Sequence, residues 1–153
     1  MGGGRSLGAR ALLALISAGP MSRGDLAERL GLSAATTTRT VRPLIEAGLI
    51  EEQPPVEVGG PGRPTRLLAV TPNSATVAGI KLTADRLYAV LTDPLGEVLI
   101  SDSRPLTDTD AGCVTALIAS VVAQLAQRSG RRPDAVGISL GAAVVGRRTV
   151  VVA

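Results

Sequence analysis

The chain has 153 residues, enough for one ordinary domain or two small ones, and 45% of them are apolar. With one Tyr and no Phe or Trp, any core must be aliphatic, and the aromatic base-stacking typical of single-strand nucleic-acid binding is not available. No His and a single Cys exclude a Cys/His metal site and an intrachain disulfide, and the net charge is a mild +3.

The charge is unevenly spread. From Arg5 to Arg42, six Arg face only Asp25 and Glu28, a local excess suited to phosphate or simply to a solvated helical face. Cys113 is expected to behave as a small apolar residue, buried or half-buried. No apolar run approaches the ~20 residues that span a bilayer. Residues 1–4 lack the long apolar stretch of a signal peptide. The expectation is a soluble, cytoplasmic protein with no membrane partner.

Taken in chain order, residues 7–17 predict a helix, because Leu7, Ala11, Leu12, Leu15 and Ile16 recur at helical spacing and Gly19-Pro20 ends the pattern. Ser22-Arg23-Gly24-Asp25 has the form of a capping box. A short helix follows with Leu26, Ala27 and Leu30 on one face, stopped by Gly31. Ser33 is the N-cap of a third helix over 34–47, with Thr37, Val41, Leu44 and Ile45 inward and Gly48 just past its end. Pro43 lies inside that helix, where it removes a hydrogen bond and is expected to bend the axis and alter the direction of Arg42.

Residues 49–52 and 66–70 read as short strands joined by a Gly/Pro-rich loop over 53–65, which suggests a wing. Thr71-Pro72-Asn73-Ser74 reads as a hinge. Beyond it, 76–82, 87–92 and 97–101 are strand-like, with a turn at Asp93-Pro94-Leu95-Gly96. A helix over 111–127 and an apolar run over 135–140 follow, the latter expected to be a buried parallel strand. Residues 144–145 and 149–152 suggest more strand, and the apolar pattern at 150–153 implies an incomplete α/β domain. If so, 135–140 and 149–152 lack cover, and the isolated chain is expected to associate.

A short helix, a tight Gly turn and a longer helix form the unit whose second helix enters the major groove of duplex DNA. Its N-terminal residues meet base edges, which makes Ala34, Ala35, Thr36, Thr38, Arg39 and Arg42 the candidates. Ala and Thr methyls can touch thymine methyls, and Arg39 can pair bidentately with guanine. Ser22 and Ser33, at helix ends, are candidates for phosphate, and Arg63 for the DNA backbone or the minor groove. For each residue the plain alternative is tolerated or solvated helix surface.

Ser22 to Ile50, with Asp25-Leu26-Ala27, Leu30-Gly31-Leu32-Ser33, Thr36, Arg39 and 44–50, resembles the MarR-type winged helix-turn-helix. Gly62-Arg63-Pro64 followed by 67–70 resembles the wing of the ROK family of repressors and sugar kinases. Residues 78–82, 91–98 and 136–141 are similar to strands of its actin-like domain. The fold expected is thus α+β/α/β: a winged helix-turn-helix over 1–70, a hinge over 71–75, and an incomplete actin-like (ribonuclease H-like) α/β domain over 76–153. The resemblance implies a DNA-binding transcription regulator, a repressor of sugar-related genes, working as a homodimer on double-stranded DNA.

The family's sugar-binding acids and zinc cluster fall beyond residue 153, so a sugar effector is implied only for longer relatives, and no metal or cofactor is assigned. ROK kinases open the actin-like domain with an Asp-x-Gly-Gly-Thr type phosphate loop. Here the same place reads Lys81-Leu82-Thr83-Ala84-Asp85, which argues against an enzyme; Lys81 reads as a phosphate contact or as a strand-end surface residue. Two rivals remain: a sugar kinase fragment, and a truncated interaction module that modulates a full-length regulator.

Overall fold

The computed structural model describes residues 6–55, 65–141, 143–145 and 149–151. It divides into two compact units, residues 1–74 and 75–153.

The first unit contains α1 (Leu7–Ala18), a two-residue strand β1 (Met21–Ser22), α2 (Arg23–Leu30), α3 (Ala34–Glu46), β2 (Ile50–Glu52) and β3 (Leu67–Val70). The local sequence explains these bounds. The Ser22 hydroxyl accepts the Asp25 N–H, and the Asp25 carboxylate accepts the Ser22 N–H, so the capping box is closed. Gly31 ends α2 at φ +66°, a left-handed conformation that costs glycine little, and its N–H turns back to carbonyls of α2. Ser33 then caps α3 by accepting the Thr36 N–H.

The three helices meet an antiparallel sheet of order β1-β3-β2. Leu68 in the middle strand is paired with both Met21 and Glu52. Ala11, Leu15, Leu26, Val41, Ile50 and Leu68 form the buried centre, with Leu44 and Ile45 partly buried against it. Each buried Leu or Ile contributes roughly 2 kcal/mol. Pro43 lies inside α3 at an exposed position. β1 has no counterpart among the sequence expectations.

The second unit runs β4 (Val77–Leu82), β5 (Arg86–Thr92), β6 (Val98–Pro105), α4 (Ala111–Ser129), β7 (Ala135–Leu140), β8 (Ala143–Val145) and β9 (Thr149–Val151). The sheet order is β6-β5-β4-β7, with β7 parallel to β4 and the other pairs antiparallel; β8 and β9 pair separately. Alternation places Ala78, Ile80 and Leu82 of β4 and Leu87, Ala89 and Leu91 of β5 on one face, where Val121 and Leu125 of α4 bury against them. By length and composition α4 resembles a membrane span, but here it lies along β5 and β6. The Asp93 carboxylate closes the β5–β6 turn by accepting the Leu95 and Glu97 N–H groups.

Two expectations are corrected. β7 is parallel as expected but not buried: all six of its residues are exposed, because among the described residues its one strand neighbour is β4 and α4 packs over β5 and β6 rather than over β7. Cys113 is exposed rather than buried or half-buried, because it sits in the first turn of α4 away from the residues that face the sheet.

Candidate nucleic-acid interface

α3 has two faces. Thr37 and Val41 are buried, whereas Ala34, Ala35, Thr38, Arg39 and Arg42 are exposed. Ala35, Thr38, Arg39 and Arg42 recur at i, i+3, i+4 and i+7, so they form one outward stripe that begins at the capped end of the helix. The helix opens at the exposed Ala34 and Ala35, whose N–H groups have no partner within an α-helix, and carries the positive end of its dipole there.

The polar side chains at this end are partly committed. The Ser33 Oγ lies 2.9 Å from the Thr36 Oγ1, and the Thr40 hydroxyl donates to the Thr36 carbonyl, so Thr36 is half-buried within its own helix. Ser22 donates its hydroxyl proton to the Asp25 carboxylate at 2.7 Å. That carboxylate occupies the helix end which sequence reasoning offered to phosphate, so Ser22 belongs to the frame more than to the outward stripe.

Arg39 has no side-chain hydrogen bond or ion pair among the described residues. Arg42 reaches along α3 to Glu46, with Nε 2.7 Å from Oε1. Both groups are largely solvated, at 78% and 61% side-chain exposure, so this pair is worth only about 0.3–0.5 kcal/mol and yields easily to a phosphate. Arg63 lies outside the described residues.

Sequence reasoning missed a second basic cluster. Arg23, in the first turn of α2, pairs with Glu52 at the end of β2, and Arg66, just before β3, stands 3.8 Å from the same carboxylate. A shallow pocket of about 420 Å³ adjoins it, lined by Arg23, Thr38, Arg42, Ile45, Glu46 and Glu52. The sequence holds no local signal for this cluster, since its members meet only after β2 and β3 pair. Among the described residues no group of His, Cys, Asp and Glu is arranged to hold a metal ion.

At the position of the kinase phosphate loop, the turn satisfies itself. The Thr83 hydroxyl bonds to the Asp85 carboxylate at 3.0 Å and accepts the Arg86 N–H at 3.2 Å. Lys81 is an exposed residue of β4, level with Tyr88 and Ser139 on the neighbouring strands.

Two capped helices around a left-handed Gly turn, followed by a strand pair, define a winged helix-turn-helix, and residues 9–59 match the MarR family model. The helix-turn-helix is similar to the MarR type, and the chain as a whole is similar to part of longer transcriptional regulators, one of them a ROK-family structure. It is 34% identical over 128 residues to the transcriptional regulator Rv0485 of Mycobacterium tuberculosis, covering 82% of this chain and 29% of that protein. It is 29% identical over 92 residues to the DNA-binding transcriptional repressor Mlc of Escherichia coli, covering 60% of this chain and 23% of the repressor. A crystal structure of a ROK family transcriptional regulator, a homologue of Mlc, aligns with a TM-score of 0.65 and 28% identity over 88% of this chain and 34% of that one. The chain thus spans about three-tenths of the length of the first of these regulators.

Proposed function

We propose that the protein is a sequence-specific regulator of transcription that lays α3 in the major groove of double-stranded DNA. The observation that carries this is the outward stripe of Ala35, Thr38, Arg39 and Arg42 on a helix held rigid by a buried core. Base edges fall to Ala34, Ala35, Thr38 and Arg39; phosphate falls to Arg42, the N-terminal end of α3 at Ser33 and Thr36, and Arg63. Residues 1–70 act as the DNA-binding part, 71–75 as a hinge, and 76–153 as an actin-like part.

In this reading the protein is a repressor of sugar-related genes that binds its operator as a homodimer in the cytoplasm. The repressor Mlc among its relatives and the ROK resemblance support that choice. In this reading it is not an enzyme: the glycines of a phosphate loop are missing, and the Thr83 hydroxyl of the 83–86 turn is bonded to the Asp85 carboxylate and the Arg86 N–H. The test is fluorescence anisotropy with a library of duplexes at low salt. Selection of a defined duplex is expected. If no double-stranded DNA binds at low ionic strength, the proposal fails, and sugar phosphorylation by the purified chain would move it to the kinase reading.

A further inference from the structure

The ion pairs at Glu52 are not balanced. One carboxylate serves two guanidiniums, pairing with Arg23 and standing 3.8 Å from Arg66. The Arg23 Nε is shielded from solvent and has no hydrogen-bond partner, an arrangement that costs free energy and leaves the guanidinium with donors to spare. The Arg23 and Glu52 side chains are only 39% and 27% exposed, so this pair is held more firmly than Arg42 with Glu46. The pocket of about 420 Å³ beside them takes Arg23 from α2, Glu52 from β2, and Thr38, Arg42 and Glu46 from α3. Thr38 and Arg42 belong to the outward stripe, so the pocket lies along its flank. Arg66 included, three guanidiniums stand there against two carboxylates.

A helix with its side chains is about 10–12 Å across, and the major groove is about 12 Å wide. The flank of a helix lying in that groove therefore faces the phosphates of the groove wall. We propose that this pocket is a phosphate subsite: Arg23 and Arg42 close on a phosphodiester of the DNA backbone, and Glu52 is the positioning residue that holds the Arg23 guanidinium toward it. A guanidinium is a planar fork of N–H donors, so Arg23 holds the carboxylate on one edge and takes the phosphate on another. Arg42 exchanges its solvated partner Glu46 for the phosphate, whereas the half-buried Arg23–Glu52 pair persists, with Arg66 on the same carboxylate. The inference rests on α3 lying in the major groove, as proposed above, and adds a backbone contact from α2 beside it.

The test uses the full chain and a fluorescently labelled duplex of mixed sequence, titrated at several salt concentrations. Arg23→Gln is expected to flatten the slope of log affinity against log salt by about 1. Arg29→Gln removes the same charge from the exposed surface of α2 outside the pocket, and is expected to leave the slope unchanged. Glu52→Ala separates positioning from charge. It makes the protein more positive, so charge alone predicts tighter binding. Loss of the Arg23 orientation predicts weaker binding, with the same flattening as Arg23→Gln. The double variant Arg23→Gln/Glu52→Ala should be no weaker than Arg23→Gln alone, because the two residues act as a unit.

A steep slope in the unmodified chain that Arg23→Gln leaves unchanged would overturn the subsite while DNA recognition by α3 stands. Equal flattening by Arg29→Gln, tighter binding of Glu52→Ala, or additive losses in the double variant would do the same. Failure of the unmodified chain to bind duplex DNA would overturn the parent reading and this inference together. Should Arg23→Gln unfold, Arg23→Lys decides. It keeps the charge without the fork, so the slope is retained while affinity falls, and unchanged affinity overturns the proposal.

Discussion

In the proposed reading base discrimination rests on Arg39, which is exposed on the outward stripe of α3 and carries no competing partner among the described residues. Arg39→Ala is expected to lose about 1–3 kcal/mol of preference at one base pair while keeping non-specific affinity. Competition with duplexes altered one position at a time measures this. Uniform weakening would assign Arg39 to phosphate instead. A second residue-scale prediction concerns Cys113. Its thiol hydrogen-bonds to the Asp108 carboxylate and feels that negative charge, both of which push its pKa up. Asp108 itself is held down by the Asp110 N–H and by Cys113. Because the thiolate is the reactive form, alkylation by iodoacetamide near pH 8 should be slow and should quicken in Asp108→Asn. Equal rates would show that the thiol does not sense its neighbour.

At the scale of elements, Pro43 is the local choice most at odds with its surroundings. It occupies α3 without an N–H to give the Arg39 carbonyl, although the Ala47 N–H still reaches the Pro43 carbonyl at 3.0 Å. Proline costs ~3 kcal/mol in a helix interior but lowers the entropy of the unfolded chain by an amount worth about 0.4–1 kcal/mol. Pro43→Ala should therefore raise stability by roughly 2 kcal/mol, seen as a higher urea midpoint at constant slope. A lower midpoint would mean that the surroundings require the proline. The helices were legible because their signals are local: Ser22 with Asp25, Gly31, Ser33 and Gly48 stand within a few residues of the ends they set. β1 was not legible, since two residues show no alternation and become a strand only when Leu67 and Leu68 arrive. β7 reads as buried because its composition is apolar, but burial depends on neighbours, and among the described residues β4 is its one partner in the sheet. For the same reason the stripe on α3 is legible in the sequence, whereas the Arg23–Glu52–Arg66 cluster is not.

At the scale of the whole molecule, the net charge of +3 is too small for strong non-specific attraction, so affinity must come from where the cations stand. Log affinity for duplex DNA should fall linearly with log salt, by ~0.9 for each phosphate neutralised. Arg42→Ala should flatten that slope by about 1 without changing which duplex is preferred. A slope that does not respond to Arg42→Ala would leave its guanidinium with Glu46 in the bound state.

The middle position of β3 has a mechanical consequence. Its residue Leu68 joins the two limbs beside it, one ending at Glu52 and the other leading straight into the cap of α2. A pull on β3 is therefore passed through the Met21–Leu68 pairing to the Ser22 cap of α2, the first helix of the helix-turn-helix.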